Sequence, residues 1–153
     1  MIYREERRDL FGTDKNYALV HCISSDFAMG AGIAVAFTRM GVKAQLERFY
    51  QKNFWRGNGY CLFTAPVQVI CNQPVKQITF NLITKQRCFH KPTYDTLKQA
   101  LLDLKKQCME NQIKRLAMPK IGCGLDRLAW NKVSAMIQEV FADTDFEILV
   151  CYR

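Results

Sequence analysis

Long apolar runs are missing from this chain. No stretch of about 18 consecutive apolar residues occurs, so no transmembrane helix is expected and no membrane partner. The first residues, Met1-Ile2-Tyr3-Arg4-Glu5-Glu6-Arg7-Arg8, lack an apolar signal core, so no secretory peptide is expected. Histidine is scarce, with only His21 and His90, and none of the seven cysteines forms Cys-x-x-Cys. A zinc site is therefore not expected. Scattered cysteines in odd number read as reduced thiols of a cytoplasmic protein. The glycine pairs do not extend to Gly-x-Gly-x-x-Gly, and no Gly-Lys-Ser/Thr follows them, which leaves a Rossmann fingerprint and a Walker loop unsupported. Internal repeats, linkers and low-complexity segments are also absent.

What is present suits a single domain over residues 1–153, with 49% hydrophobic and 24% charged residues. Acidic residues are sparse in the middle. From Arg39 to Lys120 there are 15 Lys/Arg against Glu47, Asp95, Asp103 and Glu110, a net +11 within a chain of +8. A basic middle suits a phosphate-bearing ligand or nucleic acid. A solvated basic surface that only aids solubility is the alternative.

Ile2-Tyr3-Arg4 reads as an opening strand. Tyr17 to Ile23 is a continuous apolar run, typical of a strand buried on both faces. Ser24-Ser25-Asp26 breaks it, and Met29-Gly30-Ala31-Gly32-Ile33-Ala34 is a glycine turn that opens a helix. Val42 to Tyr50 is a second helix, with Leu46, Phe49 and Tyr50 on one face. Gln51 to Tyr60 reads as a loop. Tyr60 to Phe63 and Val67 to Cys71 read as strands, with a hairpin around Ala65-Pro66. Gln77 to Thr84 is a strand and Lys85 to Pro92 a basic loop. Tyr94, Leu97, Leu101, Leu104 and Cys108 predict a helix from Thr93 to Asn111. Leu116 to Met118 is a strand, Trp130 to Phe141 a helix and Phe146 to Tyr152 a terminal strand. The alternation predicts a three-layer α/β/α sandwich around a mixed central sheet.

Ligands of such folds sit beyond the carboxyl ends of the strands. That puts three loops on one rim: Ser24 to Gly32, Lys85 to Lys91, and Pro119 to Asp126. Two glycine loops on one rim can hold a diphosphate by their backbone N–H groups. Lys85 and Asp126 are the reactive candidates. A free lysine is neutral in about one molecule in 2500 near pH 7, so a nucleophilic lysine needs its pKa lowered by desolvation or by neighbouring cations. Arg87 and Lys91 are such cations. The competing reading has Lys85 as a surface lysine and Asp126 as a cap of the following helix. His21, in an apolar strand, reads as a satisfied core histidine. His90, before Pro92, reads as a substrate-side or structural hydrogen-bonding group. Cys123, between two glycines, is either a reactive thiol or a small side chain required by the turn.

His21-Cys22-Ile23-Ser24, Met29-Gly30-Ala31-Gly32-Ile33-Ala34, Leu82-Ile83-Thr84-Lys85, His90-Lys91-Pro92-Thr93-Tyr94 and Met118-Pro119-Lys120-Ile121-Gly122-Cys123-Gly124-Leu125-Asp126-Arg127-Leu128 together resemble the macro domain. More narrowly they resemble its terminal ADP-ribose protein glycohydrolase branch, which includes the macro-domain antitoxin that removes ADP-ribose from DNA. The resemblance implies an ADP-ribose site. In it, Leu10 meets the adenine end, and Ser24 with Gly30, Ala31 and Gly32 meets the pyrophosphate and distal ribose. Lys120, Ile121, Gly122, Cys123, Gly124 and Leu125 form the second phosphate loop. Lys85 matches the branch's catalytic lysine and Asp126 its catalytic aspartate. The implied reaction is covalent attack by Lys85 on the anomeric carbon, assisted by Asp126, with no metal and no cofactor. The implied partners are ADP-ribose and ADP-ribosylated protein. ADP-ribosylated DNA, or binding of ADP-ribose without turnover, are the alternatives, and the protein is expected to be a monomer. The asparagine-rich strand end and triple-glycine loop of the commoner macro-domain hydrolases are missing, so their mechanism is not carried over. Gln51 to Gln77 and Cys151-Tyr152-Arg153 depart from the branch pattern.

Overall fold

The computed structural model describes the backbone of residues 1–24, 26–49, 55–56, 60–61, 64–70 and 76–153, and the side chains of 1–24, 26–48 and 77–153. The chain runs through β1 (Ile2–Arg7), a 3-10 turn (Leu10–Gly12), β2 (Ala18–Ser24), α1 (Ala34–Arg39), α2 (Val42–Phe49), β3 (Trp55–Arg56), β4 (Tyr60–Cys61), β5 (Thr64–Ile70) and β6 (Lys76–Lys85). It continues through α3 (Tyr94–Glu110), β7 (Arg115–Met118), a second 3-10 turn (Gly124–Asp126), α4 (Trp130–Phe141) and β8 (Glu147–Tyr152).

Six strands form one sheet in the order β1-β8-β7-β2-β6-β5. Five of them are parallel, and β5 pairs antiparallel to β6 at the edge. The sheet is therefore mixed, as expected. Helices α1 and α2 pack together, as do α3 and α4, and the two pairs cover the sheet as outer layers. The all-apolar stretch in β2 is explained by its position between β7 and β6, where both faces are covered. Helix α3 starts at a capping box in which Thr93 and Thr96 satisfy each other's backbone N–H groups. It buries Leu97, Ala100, Leu101, Leu104 and Cys108, the stripe set by helical spacing. Val133, Ile137, Val140 and Phe141 do the same for α4.

The region after α2 departs from expectation. No hairpin turns at Ala65-Pro66, because β5 runs through that pair, with Ala65 opposite Asn81 and Pro66 opposite Phe80. Proline cannot donate to a ladder, and an outer strand tolerates it because one side has no partner to lose. The Tyr60 strand pairs with Trp55–Arg56 in a separate two-stranded sheet, not with β5. The rest of the Gln51 to Tyr60 loop, Tyr50, Leu62-Phe63 and Cys71 lie outside the described residues. Among the described residues no helix is long and apolar enough to cross a membrane.

Candidate functional site

The five parallel strands all end at one edge of the sheet. The loops after β1, β2, β6 and β7 meet there with the residues that close β8, and enclose a cleft of ≈ 1090 Å³. The three rim loops expected from sequence all contribute to its lining.

Lys85 is the last residue of β6, and Asp126 ends the 3-10 turn after β7. The Lys85 Nζ donates to Asp126 Oδ1 at 2.7 Å, and each side chain is 15% exposed at the cleft wall. Asp126 does not cap the following helix. The N-cap of α4 is Ala129, which makes no side-chain capping bond. Lys85 also follows an irregularity in the sheet. Ile23 pairs with Ile83, but Ser24 pairs with Lys85, so Thr84 is one extra residue in β6. Such bulges re-aim the side chain that comes next and are frequent beside functional sites.

The loop from Pro119 is shaped by Gly122. Its φ is +73°, and a Cβ there would stand 3.0 Å from Leu128 Cδ1 and 3.2 Å from Leu97 Cδ2. Glycine is thus favoured by the conformation, and a Cβ would fit only if Leu128 and Leu97 gave way. The Leu128 N–H closes the loop on the Gly122 carbonyl at 2.8 Å. The two glycine loops approach each other across the cleft, where Leu125 Cδ1 lies 3.6 Å from the Cβ position of Gly32. Lys91 braces the same turn by donating from Nζ to the Leu125 carbonyl at 2.7 Å.

Leu10, Ser24, Gly30, Ala31, Gly32, Lys120, Ile121, Gly122, Cys123, Gly124 and Leu125 all line the cleft with Lys85 and Asp126. His90 is outside that lining, and its Nδ1 accepts the Arg87 N–H at 3.3 Å. The Lys120 ammonium is held over the Tyr152 ring at 4.6 Å and near the Trp130 ring at 5.9 Å. That places its charge on the β8 side of the cleft.

Asp26 was not singled out by sequence reasoning. Its Oδ1 accepts the Ser24 hydroxyl and the Ala28 N–H, while Oδ2 accepts the Cys88 N–H at 3.0 Å. Burial opposes its charge, but the Ser24 hydroxyl and the Cys88 and Ala28 amides outweigh burial and hold the carboxyl below its ordinary range. Phe27 and Met29, on either side of Ala28, have φ of 54° and 49°, a left-handed conformation that non-glycine residues seldom adopt. Lys43 ties the same bend by donating to the Ala28 carbonyl at 3.1 Å.

His21 is a core residue, though only half satisfied, since its buried Nδ1 has no hydrogen-bond partner among the described residues. It is fully buried, its ring stacks on Phe37 at 3.8 Å, and its Nε2 lies 2.6 Å from Asn81 Oδ1. The ring donates to this oxygen in its Nε2-protonated tautomer. Burial depresses the His21 pKa from 6.5 to about 4. The Cys123 thiol is pushed up by burial, which keeps it protonated. The five described cysteines are free. Among the described residues no cluster of His, Cys, Asp or Glu could hold a metal ion.

At the end of the cleft where the resemblance puts Leu10, Arg8, Phe11, Tyr152 and Arg153 also line it, none of them assigned a contact from sequence, and Arg153 pairs with Asp9 at 3.1 Å. The signal was available: if β1 and β8 are parallel members of the sheet, the residues after them reach the same rim. Phe89, 75% exposed, is a further lining residue beside Lys85 that no motif marked.

The comparisons with known proteins agree with this architecture. Residues 20–137 match the profile of the macro domain family. A Homo sapiens protein named ADP-ribose glycohydrolase OARD1 is 44% identical over 144 residues, 93% of this chain and 86% of the relative. A Thermus aquaticus protein named DNA ADP-ribosyl glycohydrolase is 28% identical over 80% of this chain and 33% of its own length. The solved macrodomain of Mycobacterium tuberculosis DarG superposes with a TM-score of 0.76 over 99% of this chain and 98% of that one, at 21% identity. The family profile, the long 44% match and the shared fold make this chain a member of the macro domain family.

Proposed function

We propose that this protein is a hydrolase that releases ADP-ribose from mono-ADP-ribosylated macromolecules, acidic side chains of proteins foremost. One observation carries the reading: a lysine amine 2.7 Å from a carboxylate, in the wall of a cleft built from two facing glycine loops. Binding alone requires no such pair, which argues against a module that holds ADP-ribose without turnover. The human relative at 44% identity bears the name of an ADP-ribose glycohydrolase, which supports the same reading.

In this reading the diphosphate lies between the Gly30-Ala31-Gly32 and Gly122-Cys123-Gly124 loops, with the distal ribose toward Lys85. Asp126 takes the ammonium proton of Lys85. The amine then forms a C–N bond to the anomeric carbon, and the C–O bond to the acceptor breaks with its electron pair leaving on the carboxylate. The attached nitrogen gives up its second proton to the departing carboxylate, and Asp126 returns its own proton to the ring oxygen, so the nitrogen lone pair opens the ring to an iminium. Water adds to that carbon and gives a proton to Asp126. Cleavage of the C–N bond then frees ADP-ribose and restores Lys85. These steps need only residues of this chain. The reading places the protein in a reducing cytoplasmic compartment as a monomer.

ADP-ribosylated DNA is the second reading. It is favoured by the basic Lys85 to Lys91 loop with its exposed Phe89 and by the name of the Thermus aquaticus relative. Bases stack on exposed aromatics. Phe54 and Trp55 beside Arg56 are residue types that could stack bases in the same way, and their side chains lie outside the described ones. The decisive experiment incubates the protein in parallel with ADP-ribosylated protein and ADP-ribosylated DNA. Release from the protein substrate supports the first reading, and release from DNA alone replaces it with the second. No release from either, with free ADP-ribose still bound, leaves only a binding module.

A further inference from the structure

Lys85 Nζ sits at the end of a four-carbon flexible stem, so where it points depends on how firmly its backbone is held. The end of β6 has left the regular ladder at Thr84, and the loop that follows it, through Cys88 and Phe89, is exposed. A strand end of this kind frays unless something ties it down. Among the described residues a tie stands on each side of Lys85. On one side, Lys85 pairs with Ser24 in the sheet. On the other, the N–H of Cys88 donates to Asp26 Oδ2 at 3.0 Å. The second carboxylate oxygen closes the circuit, because Oδ1 takes the hydroxyl of the same Ser24 and the N–H of Ala28. Ser24, Asp26, Cys88 and Lys85 therefore form a closed ring of contacts that joins the loop after β2 to the loop after β6.

Four features make this ring more than a chance contact. Both oxygens of Asp26 are used, and each faces a different segment. The carboxylate is held in its charged form against the cost of its partial burial, by those same donors. The bend it supports includes two left-handed non-glycine residues, Phe27 and Met29, whose conformation costs energy that the ring and Lys43 offset. The bend also leads directly into the Gly30-Ala31-Gly32 loop, so one side chain links that loop to the strand end that carries Lys85.

We infer that Asp26 is a positioning residue for the transfer step, holding the Lys85 backbone in register with the first glycine loop through Ser24 and the Cys88 amide. The inference rests on the proposed role of Lys85 as nucleophile. Asp26 contacts no reacting atom. Its effect is on how often the amine stands in line with the anomeric carbon, and a displacement of about 1 Å at such a centre costs up to about a hundredfold in rate.

The ring has a second consequence for specificity. The Ser24 hydroxyl proton is committed to Asp26, so Ser24 presents only lone pairs to the cleft. It fits a hydroxyl donor of a sugar and not a phosphate oxygen.

The test compares kcat, KM and free ADP-ribose affinity for the wild type, Asp26→Asn, Asp26→Glu and Lys85→Ala on an ADP-ribosylated protein substrate. Asp26→Asn is isosteric but sets an NH2 group against either the Cys88 N–H or the Ser24 and Ala28 donors. The expected result is a kcat at least about tenfold lower, which is about 1.4 kcal/mol of barrier. KM and ADP-ribose affinity should change by no more than about threefold, since the Gly122-Cys123-Gly124 loop, which Asp26 does not touch, still holds the diphosphate. Asp26→Glu should recover part of the loss. An unchanged kcat in Asp26→Asn overturns the inference. So does a kcat loss matched by an equal loss of ADP-ribose affinity, which would make Asp26 part of the binding wall. Full turnover in Lys85→Ala sinks the lysine reading itself, whatever Asp26 does. A measurement on the unaltered protein guards against a variant that fails to fold. The Cys88 amide should exchange with deuterium more slowly than its exposed neighbour Phe89, and equal rates would show that the tie does not form.

Discussion

Lys85 and Asp126 stand 41 positions apart in the chain and 2.7 Å apart in space. If the amine is the nucleophile, Lys85→Ala should lower turnover by roughly a thousandfold or more while free ADP-ribose still binds; calorimetry and a release assay on one preparation check both halves. His21 yields a prediction of another kind. Folded, its pKa is depressed from 6.5 to about 4, so the folded protein resists protonation of this ring where the unfolded chain accepts it. Its contribution to stability is full above pH 6.5 and is lost as pH falls from there toward 4, by up to about 1.4 kcal/mol per pH unit. Urea midpoints at pH 7 and pH 5 should therefore differ, and the difference should shrink in His21→Gln. An equal difference in that variant would assign the pH dependence to other groups.

Elements carry the next level of constraint. The loop between β7 and α4 is a turn in which neighbouring glycines have different reasons to be glycine. Gly122 and Gly124 share a φ of +73°, but only Gly122 lacks room for a Cβ, with Leu128 and Leu97 within 3.2 Å. Gly124→Ala meets nothing within 4 Å and should cost about 1 kcal/mol from backbone conformation alone. Gly122→Ala adds a steric conflict with buried Leu97 and half-buried Leu128 and should cost about 2–3 kcal/mol, together with a loss of ADP-ribose affinity. Urea denaturation of the two variants side by side tests the ranking, and equal costs would mean that Leu128 and Leu97 give way freely. Sequence reasoning located α3 and α4 well because their stripes of Leu, Val and Ile repeat at helical spacing and Thr93 marks a start. It misplaced the chain at Ala65-Pro66, reading a turn where β5 passes straight through. Whether a proline bends a strand or sits harmlessly at an outer one depends on which strands pair, and that is not a local property.

For the molecule as a whole, the cleft joins the ends of β1, β2, β6, β7 and β8, so a ligand filling it would bind only the folded chain. At a hundred times its dissociation constant, ADP-ribose should add about 2.7 kcal/mol to unfolding stability in the wild type and in Lys85→Ala alike. No stabilisation in either would count against the site as an ADP-ribose pocket. The sequence by itself determined the alternation of strands and helices, the core faces, and the two glycine turns with a lysine and an aspartate near them. These follow from hydrophobic periodicity and turn chemistry, which act over a few residues at a time. Tertiary structure decided the rest. It set Asp126 against Lys85 instead of at the start of α4, and moved His90 out of the cleft lining. It brought the residues after β1 and the end of β8 to one wall of the cleft, and made Asp26 a bridge between two loops. These depend on strand order and, at Lys85, on the single extra residue at Thr84, which pairing across the sheet creates and no local pattern records.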